Sequence, residues 1–347
     1  MLTFWYKDGT RVNDGIRIFS GRAHPALTQE ICTHLGVPPG RADIFKFKND
    51  NSFVQILESV RQQDVYVVQP SYEPVNDGIM ELLFMMDALM RASARSITVI
   101  TPYYPYGRSD KKDQPRIPIA ASLVARLLET AGANRILTLD LHAEQIQGFF
   151  KIPVDQLLAA PVLCDYFKKK DIPDMVAVAP DAGSAKRTAD YARRLAIPMA
   201  ILDKRRSGNN DQAQAFHVIG DVKGKNPIIF DDEVSTGGSI LSAVQALKRA
   251  GANKVWAGVT HGVLCGAAHE RLAQSELEEM VVTNTLPVKA PAGSKITVLS
   301  VARLLADAIL RIHTGQSLNA LFLDSPRVAP AVAGPPAPEP QAASSTR

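Results

Sequence analysis

Short runs of aliphatic and β-branched residues alternate along this chain with longer stretches whose apolar positions recur at helical spacing. Val65–Gln69, Ile97–Thr101, Ile136–Leu139, Met175–Ala179, Pro227–Phe230, Val255–Thr260 and Met280–Thr283 are short and mostly apolar, which predicts buried strands. Ile119–Ala131, Ala185–Leu195 and Ser239–Ala250 carry the helical period between them. Strand and helix in this alternation predict an α/β fold, with mainly parallel sheet flanked by helices. Helix starts are marked at Asn76-Asp77 and at Thr236-Gly237-Gly238-Ser239. Ile79–Ala94 carries Met80, Met85, Met86 and Met90 among leucines and predicts a core helix buried on most faces.

The pattern also repeats. Ala131-Gly132-Ala133-Asn134-Arg135 leads through a strand to His142, and Ala250-Gly251-Ala252-Asn253-Lys254 leads through a strand to His261 at the same separation. Ala-Gly-Ala after a helix is an ordinary stop, with Gly in the left-handed position. The register holding across the strand and into the loop favours two similar units related by duplication. The expected boundaries are 15–157 for the first domain and 158–323 for the second. A tail at 325–347, rich in Pro, Ala and Ser, buries too little apolar surface to order itself.

Composition narrows the function classes. The 347 residues suffice for two domains. The net charge of +4 comes from 39 basic and 35 acidic residues with no long basic run, which argues against nucleic-acid binding. Cys32, Cys164 and Cys265 lie far apart and form no Cys-x-x-Cys pair, in keeping with a reducing compartment. Charge within the first seven residues does not fit a signal peptide, and no apolar stretch approaches the ~18 residues of a membrane span. A cytoplasmic protein is expected.

The string from Ile228 to Ser239 carries the strongest chemistry. An apolar strand ends in Asp231-Asp232-Glu233, and the turn Val234-Ser235-Thr236-Gly237-Gly238-Ser239 opens a helix. Bare backbone N–H groups at a helix start bind anions, and glycines let a phosphate come close. Carboxylates at the strand end accept from vicinal sugar hydroxyls. Together they read as a ribose 5-phosphate site at the carboxyl end of a parallel strand.

This string resembles the phosphoribosyl-pyrophosphate loop shared by phosphoribosyltransferases and ribose-phosphate pyrophosphokinases. Two further segments resemble the pyrophosphokinases. Pro105–Ile119 (PYGRSDKKDQPRIPI) is similar to their nucleotide loop, and Asp140–Phe150 (DLHAEQIQGFF) to their signature segment. Val176–Arg187 and Ile201–Arg206 resemble that family's ribose or metal loop and its catalytic loop. The likeness runs from Ile16 to about Phe322.

The resemblance implies two phosphoribosyltransferase-like domains and transfer of pyrophosphate from Mg-ATP to the C1 hydroxyl of ribose 5-phosphate. The products would be phosphoribosyl pyrophosphate, which feeds nucleotide biosynthesis, and AMP. Lys204 and Arg206 are then the catalytic cations. Phe47, Asn49, Asn51, Arg108, Ser109 and His142 bind ATP. Asp181, Arg206, Asp231, Asp232, Ser235, Thr236, Gly237, Gly238 and Ser239 bind ribose 5-phosphate, and His142 and Asp181 hold Mg²⁺. The family also implies a homo-oligomer such as a hexamer. Four positions depart from its usual pattern: Asn51 for Glu, Ser109 for Gln, Lys151 for Asp and Ser235 for Asp. Asn51, Lys151 and Ser235 keep open a non-catalytic regulatory homologue, and the loop alone keeps open a phosphoribosyltransferase.

Overall fold

The computed structural model describes residues 14–205 and 215–322. Among these residues the chain builds two parallel sheets in succession. The first half runs β1 (Ile16–Ser20), α1 (Pro25–Leu35), the hairpin β2 (Ala42–Lys46) and β3 (Ser52–Ile56), β4 (Asp64–Val68), α2 (Val75–Arg91), β5 (Ser96–Ile100), α3 (Ala120–Thr130), β6 (Arg135–Leu139) and β7 (Val154–Leu157). Its sheet has the order β1-β4-β5-β6-β7, parallel throughout.

The second half begins with α4 (Ala160–Lys169), β8 (Met175–Ala179), α5 (Ala185–Leu195), β9 (Met199–Arg205) and β10 (Ala215–Ile219). It continues with β11 (Asn226–Val234), α6 (Gly238–Arg249), β12 (Val255–Gly262), α7 (Ala268–Ala273), β13 (Leu277–Thr283), β14 (Ile296–Leu299) and α8 (Ala302–His313). The sheet order is β10-β9-β8-β11-β12-β13-β14, parallel except where β10 returns against β9.

The repeated sequence pattern falls on the same structural run in each half. β5–α3–β6 and β11–α6–β12 each place a helix between adjacent parallel strands. β4 and β12 are buried at every position, as strands covered on both faces must be.

Three apolar cores result among the described residues. Met85, Val99 and Leu128 belong to one in the first half, and Val178, Val244 and Val282 to one in the second. The third lies between the sheets and joins Ile18 and Leu27 to Phe167, Tyr191, Phe230 and Ile309. Residues of α1, α4, α5 and α8 therefore share one core, and Tyr191 stacks on Phe230 with ring centroids 4.0 Å apart. α8 is tied directly to the first half: Tyr66 Oη donates to the Ile309 carbonyl at 3.4 Å, and His313 Nδ1 meets Asp64 at 2.7 Å.

One expectation is corrected here. α2 buries Leu82, Met85, Met86 and Leu89, but Met80, Phe84 and Met90 are exposed on its other side. It covers one face of the sheet and is not enclosed. The helix also starts at Val75 with Pro74 before it and no side-chain cap, so Asn76 and Asp77 lie in its first turn.

Candidate active site

The carboxyl ends of β6, β8 and β11 meet at one cleft of about 700 Å³. Its lining includes Arg108 and His142 from the first half, and Asp181, Arg187, Asp231, Asp232, Glu233, Thr236, Gly238 and Ser239 from the second.

The anion-binding side follows from backbone geometry. Beyond β11 the chain turns at Gly237, with φ 77°, and α6 begins with no side chain capping its first N–H groups. A residue with a Cβ is strained at that φ, and uncapped N–H groups at a helix start favour an anion. Ser235 Oγ lies 3.2 Å from Cys265 Sγ at the edge of the same turn.

The acidic side sits at the end of β11, where Asp232 and Glu233 are 5% and 7% exposed. Such burial of charge requires partners, and from the other half Asp232 draws one and Glu233 two. Asp232 Oδ2 meets His142 Nδ1 at 2.8 Å, and its Oδ1 accepts from Arg187 Nη1 at 2.6 Å. Glu233 Oε2 accepts from Tyr103 Oη at 2.9 Å, while Arg108 Nε forms an ion pair with Oε1.

These contacts set the charges. The hydrogen bond to Asp232 raises the His142 pKa against its own burial. Burial works against ionising Asp232, yet the hydrogen bond to His142 and the Arg187 charge hold it well below the usual carboxylate range. Burial and the neighbouring Asp232 charge push Asp231 upward instead.

His142 is placed by the turn that follows β6. Asp140 has φ 33°, a strained conformation, and its Oδ2 accepts from the Ala159 N–H and the Thr260 hydroxyl, both at 2.8 Å. His261, the counterpart of His142 in the repeat, is buried, and its Nε2 lies 3.2 Å from the carbonyls of Leu139 and Asp140. One repeat histidine thus faces the cleft, and the other fastens the two halves behind it.

Comparison with known proteins decides the family. Residues 16–132 match the N-terminal domain of ribose phosphate pyrophosphokinase, and residues 207–323 match the phosphoribosyl synthetase-associated domain. The ribose-phosphate pyrophosphokinase of Oceanobacillus iheyensis is 47% identical over 322 residues, covering 92% of this chain and all of that protein. The chain belongs to the ribose-phosphate pyrophosphokinase family. The relative from Clostridium acetobutylicum is 48% identical over 90% of this chain and 99% of its own length. The crystal structure of phosphoribosylpyrophosphate synthetase from Mycobacterium smegmatis superposes with a TM-score of 0.81 at 43% identity, covering 87% of this chain and all of that one.

Within this pyrophosphokinase fold, the residues expected from sequence divide into groups. Arg108, His142, Asp181, Asp231, Asp232, Thr236, Gly238 and Ser239 line the cleft, with Ser235 and Gly237 in the same turn. Phe47, Asn49 and Asn51 are exposed in the turn of the β2–β3 hairpin and are not among the lining residues. The Ser109 hydroxyl accepts from the Ala120 N–H at 3.2 Å, at the start of α3. Lys204 lies on β9 opposite Phe216, and Arg206 lies outside the described residues. The tail at 325–347 lies outside them as well.

Arg187, Glu233 and Tyr103 were not singled out from sequence. Glu233 carried a signal, as the third acid in the strand-end run. Arg187 and Tyr103 had none beyond residue type, because their roles depend on which carboxylate stands opposite.

Proposed function

We propose that this chain transfers the pyrophosphoryl group of Mg-ATP to the anomeric hydroxyl of ribose 5-phosphate, with release of AMP. The observation that carries the reading is one cleft with a helix-start anion cradle and an acidic pair from one half, faced by Arg108 and His142 from the other. The cradle at 235–239 receives the 5-phosphate. The acidic end of β11 supplies the acceptor for the vicinal sugar hydroxyls. Arg108 binds nucleotide phosphate through its forked guanidinium.

Both reactants are anions, so the work is alignment and charge stabilisation rather than covalent catalysis. Lys204 and Arg206 would neutralise charge on the transferred group. The backbone supports Lys204 in this role: β9 runs parallel to β8 with Ile201 opposite Ala179, at the sheet end that also carries Asp181.

Magnesium suits the residues present. Asp181 is exposed at the cleft and His142 side chain is 42% exposed, a sparse pair for an ion that keeps most of its waters. When bound, the ion spreads the triphosphate charge. His142, Asp232 and Glu233 also form a group whose ligand atoms lie within 4.8 Å of one another.

Assembly into a homo-oligomer is supported by large apolar side chains left exposed on α2, α3 and the hairpin, among them Phe84, Leu123 and Phe47. No described helix is long and apolar enough to cross a membrane, and the three cysteines are unpaired. Both facts suit a reaction in the cytoplasm.

The test is product analysis of the purified chain with Mg-ATP and ribose 5-phosphate. AMP and phosphoribosyl pyrophosphate in equal amounts are expected. A folded chain that binds both substrates but releases no AMP would overturn the catalytic reading in favour of a regulatory one.

A further inference from the structure

Adjacent acids at the end of a strand invite the assumption that both serve the sugar. Their surroundings differ. Asp232 has one oxygen 2.6 Å from Arg187 Nη1 and the other 2.8 Å from His142 Nδ1, and its side chain is 8% exposed. The Asp231 side chain is 20% exposed and stands 3.8 Å from the same guanidinium nitrogen, beyond hydrogen-bond reach. Its Oδ1 accepts from the backbone N–H of Asp232 at 2.9 Å. Charge-assisted hydrogen bonds are the strong ones, so a neutral sugar hydroxyl competes poorly for oxygens already held by a guanidinium and an imidazole.

We propose that Asp232 is a positioning residue rather than a sugar ligand: braced by Arg187, it orients His142 from the other half of the molecule, and the ribose hydroxyls fall to Asp231. Arg187 comes from the first turn of α5 and fixes the carboxylate from within its own half. His142 approaches across the cleft, 90 residues away in sequence. With Nδ1 tied to Asp232, Nε2 is the nitrogen left for the metal–triphosphate, and the ring cannot turn without breaking the bond. The bridge thereby couples the sugar-binding half to the nucleotide-binding half.

This division rests on the reaction proposed above, and its test separates the two. Ribose 5-phosphate binding is titrated calorimetrically on the full chain without nucleotide, and steady-state kinetics give kcat and the KM for Mg-ATP. Asp231→Asn is expected to weaken ribose 5-phosphate binding by about tenfold, the value of about one or two net hydrogen bonds to the sugar. Asp232→Asn is expected to leave that binding within about threefold while kcat falls and the Mg-ATP KM rises, by about tenfold together. Combined with His142→Ala, Asp232→Asn should add little further loss, because two residues acting through one contact are not additive.

Equal weakening of ribose 5-phosphate binding by Asp231→Asn and Asp232→Asn overturns the division alone. Losses from Asp232→Asn and His142→Ala that multiply independently do the same. A wild-type chain that binds no ribose 5-phosphate overturns the reaction and the division together. Should Asp232→Asn fail to fold, Arg187→Lys keeps the charge but loosens the brace. It should likewise raise the Mg-ATP KM and spare sugar binding, and the opposite split would overturn the proposal.

Discussion

Tyr103 Oη donates to Oε2 of Glu233 at 2.9 Å, joining the loop after β5 in one sheet to the end of β11 in the other. The Glu233 side chain is 4% exposed, and among the described residues Oε1 has only the Arg108 ion pair, without hydrogen-bond geometry. Burial and the Glu233 charge push the phenol pKa of Tyr103 upward, so it remains a proton donor over the working range. Its ring also packs 4.9 Å from that of His261, the residue that fastens β12 to the end of β6.

Tyr103→Phe keeps the ring and deletes the donor. A buried carboxylate left short of a partner costs about 1–3 kcal/mol, so urea unfolding should show a loss of that size. Arg108, then the remaining partner from the first half, should be held more tightly on Glu233 and be less available to nucleotide phosphate. The Mg-ATP KM is accordingly expected to rise while ribose 5-phosphate affinity is kept. Unchanged stability and kinetics would show the contact to be incidental.

Gly237 occupies its position for conformational reasons. A Cβ built there meets nothing closer than Leu241 and Leu272, both at 4.0 Å, so space is available and only φ 77° resists a side chain. Gly237→Ala should cost about 1–2 kcal/mol from the left-handed backbone. If the turn relieves that strain by shifting, the N–H groups of the cradle lose their aim and the ribose 5-phosphate KM rises. Gly237→Asn should be milder on both counts, since Asn tolerates this region. Equal losses for Ala and Asn would point to steric exclusion by the ligand instead.

Lys204→Ala tests the end of β9. Removing one preorganised charge from a transition state typically costs about a hundredfold to a thousandfold in kcat. Ribose 5-phosphate binding, proposed above to rest on the 235–239 turn and Asp231, should be largely unaffected. Near-native turnover in this variant would remove Lys204 from the catalytic role.

How far the sequence speaks depends on how local the cause is. Met175–Ala179 and Ala185–Leu195 are observed with the ends expected for them, because apolar period and flanking turns determine both. β11 runs on to Val234, beyond the expected Phe230, because Asp231, Asp232 and Glu233 read as a polar end. The burial of Asp232 and Glu233 depends on His142, Arg187, Tyr103 and Arg108, which lie between 45 and 130 residues away along the chain. The turn at 235–239 was legible for the opposite reason, since glycines, hydroxyls and helix start all lie within a few residues. Exposure of Met80, Phe84 and Met90 was not legible: a pattern apolar on most faces does not distinguish a buried helix from one with an exposed apolar side. Nor does adjacency reveal which of two acids is held by Arg187 and His142.

Asp64 connects acid stability to the junction of the two halves. At the start of β4, its carboxylate accepts from Arg95 and from the Ser96 hydroxyl, and it meets His313 of α8 at 2.7 Å. Burial alone would raise its pKa, but hydrogen bonds from Arg95, Ser96 and His313 bring it from 3.8 down to about 2. A depressed folded-state pKa means the unfolded chain binds the proton more readily, so stability falls as the pH drops through this window. The contribution is complete above pH 3.8 and lost by about pH 2. Asp64→Asn keeps the shape and removes the titration. The variant should be less stable than wild type above pH 4, and the difference should shrink on acidification and close near about pH 2. Unfolding midpoints measured between pH 2 and 6 check this directly. A gap that stays constant across that range would mean the loss comes from packing at α8, not from the charge of Asp64.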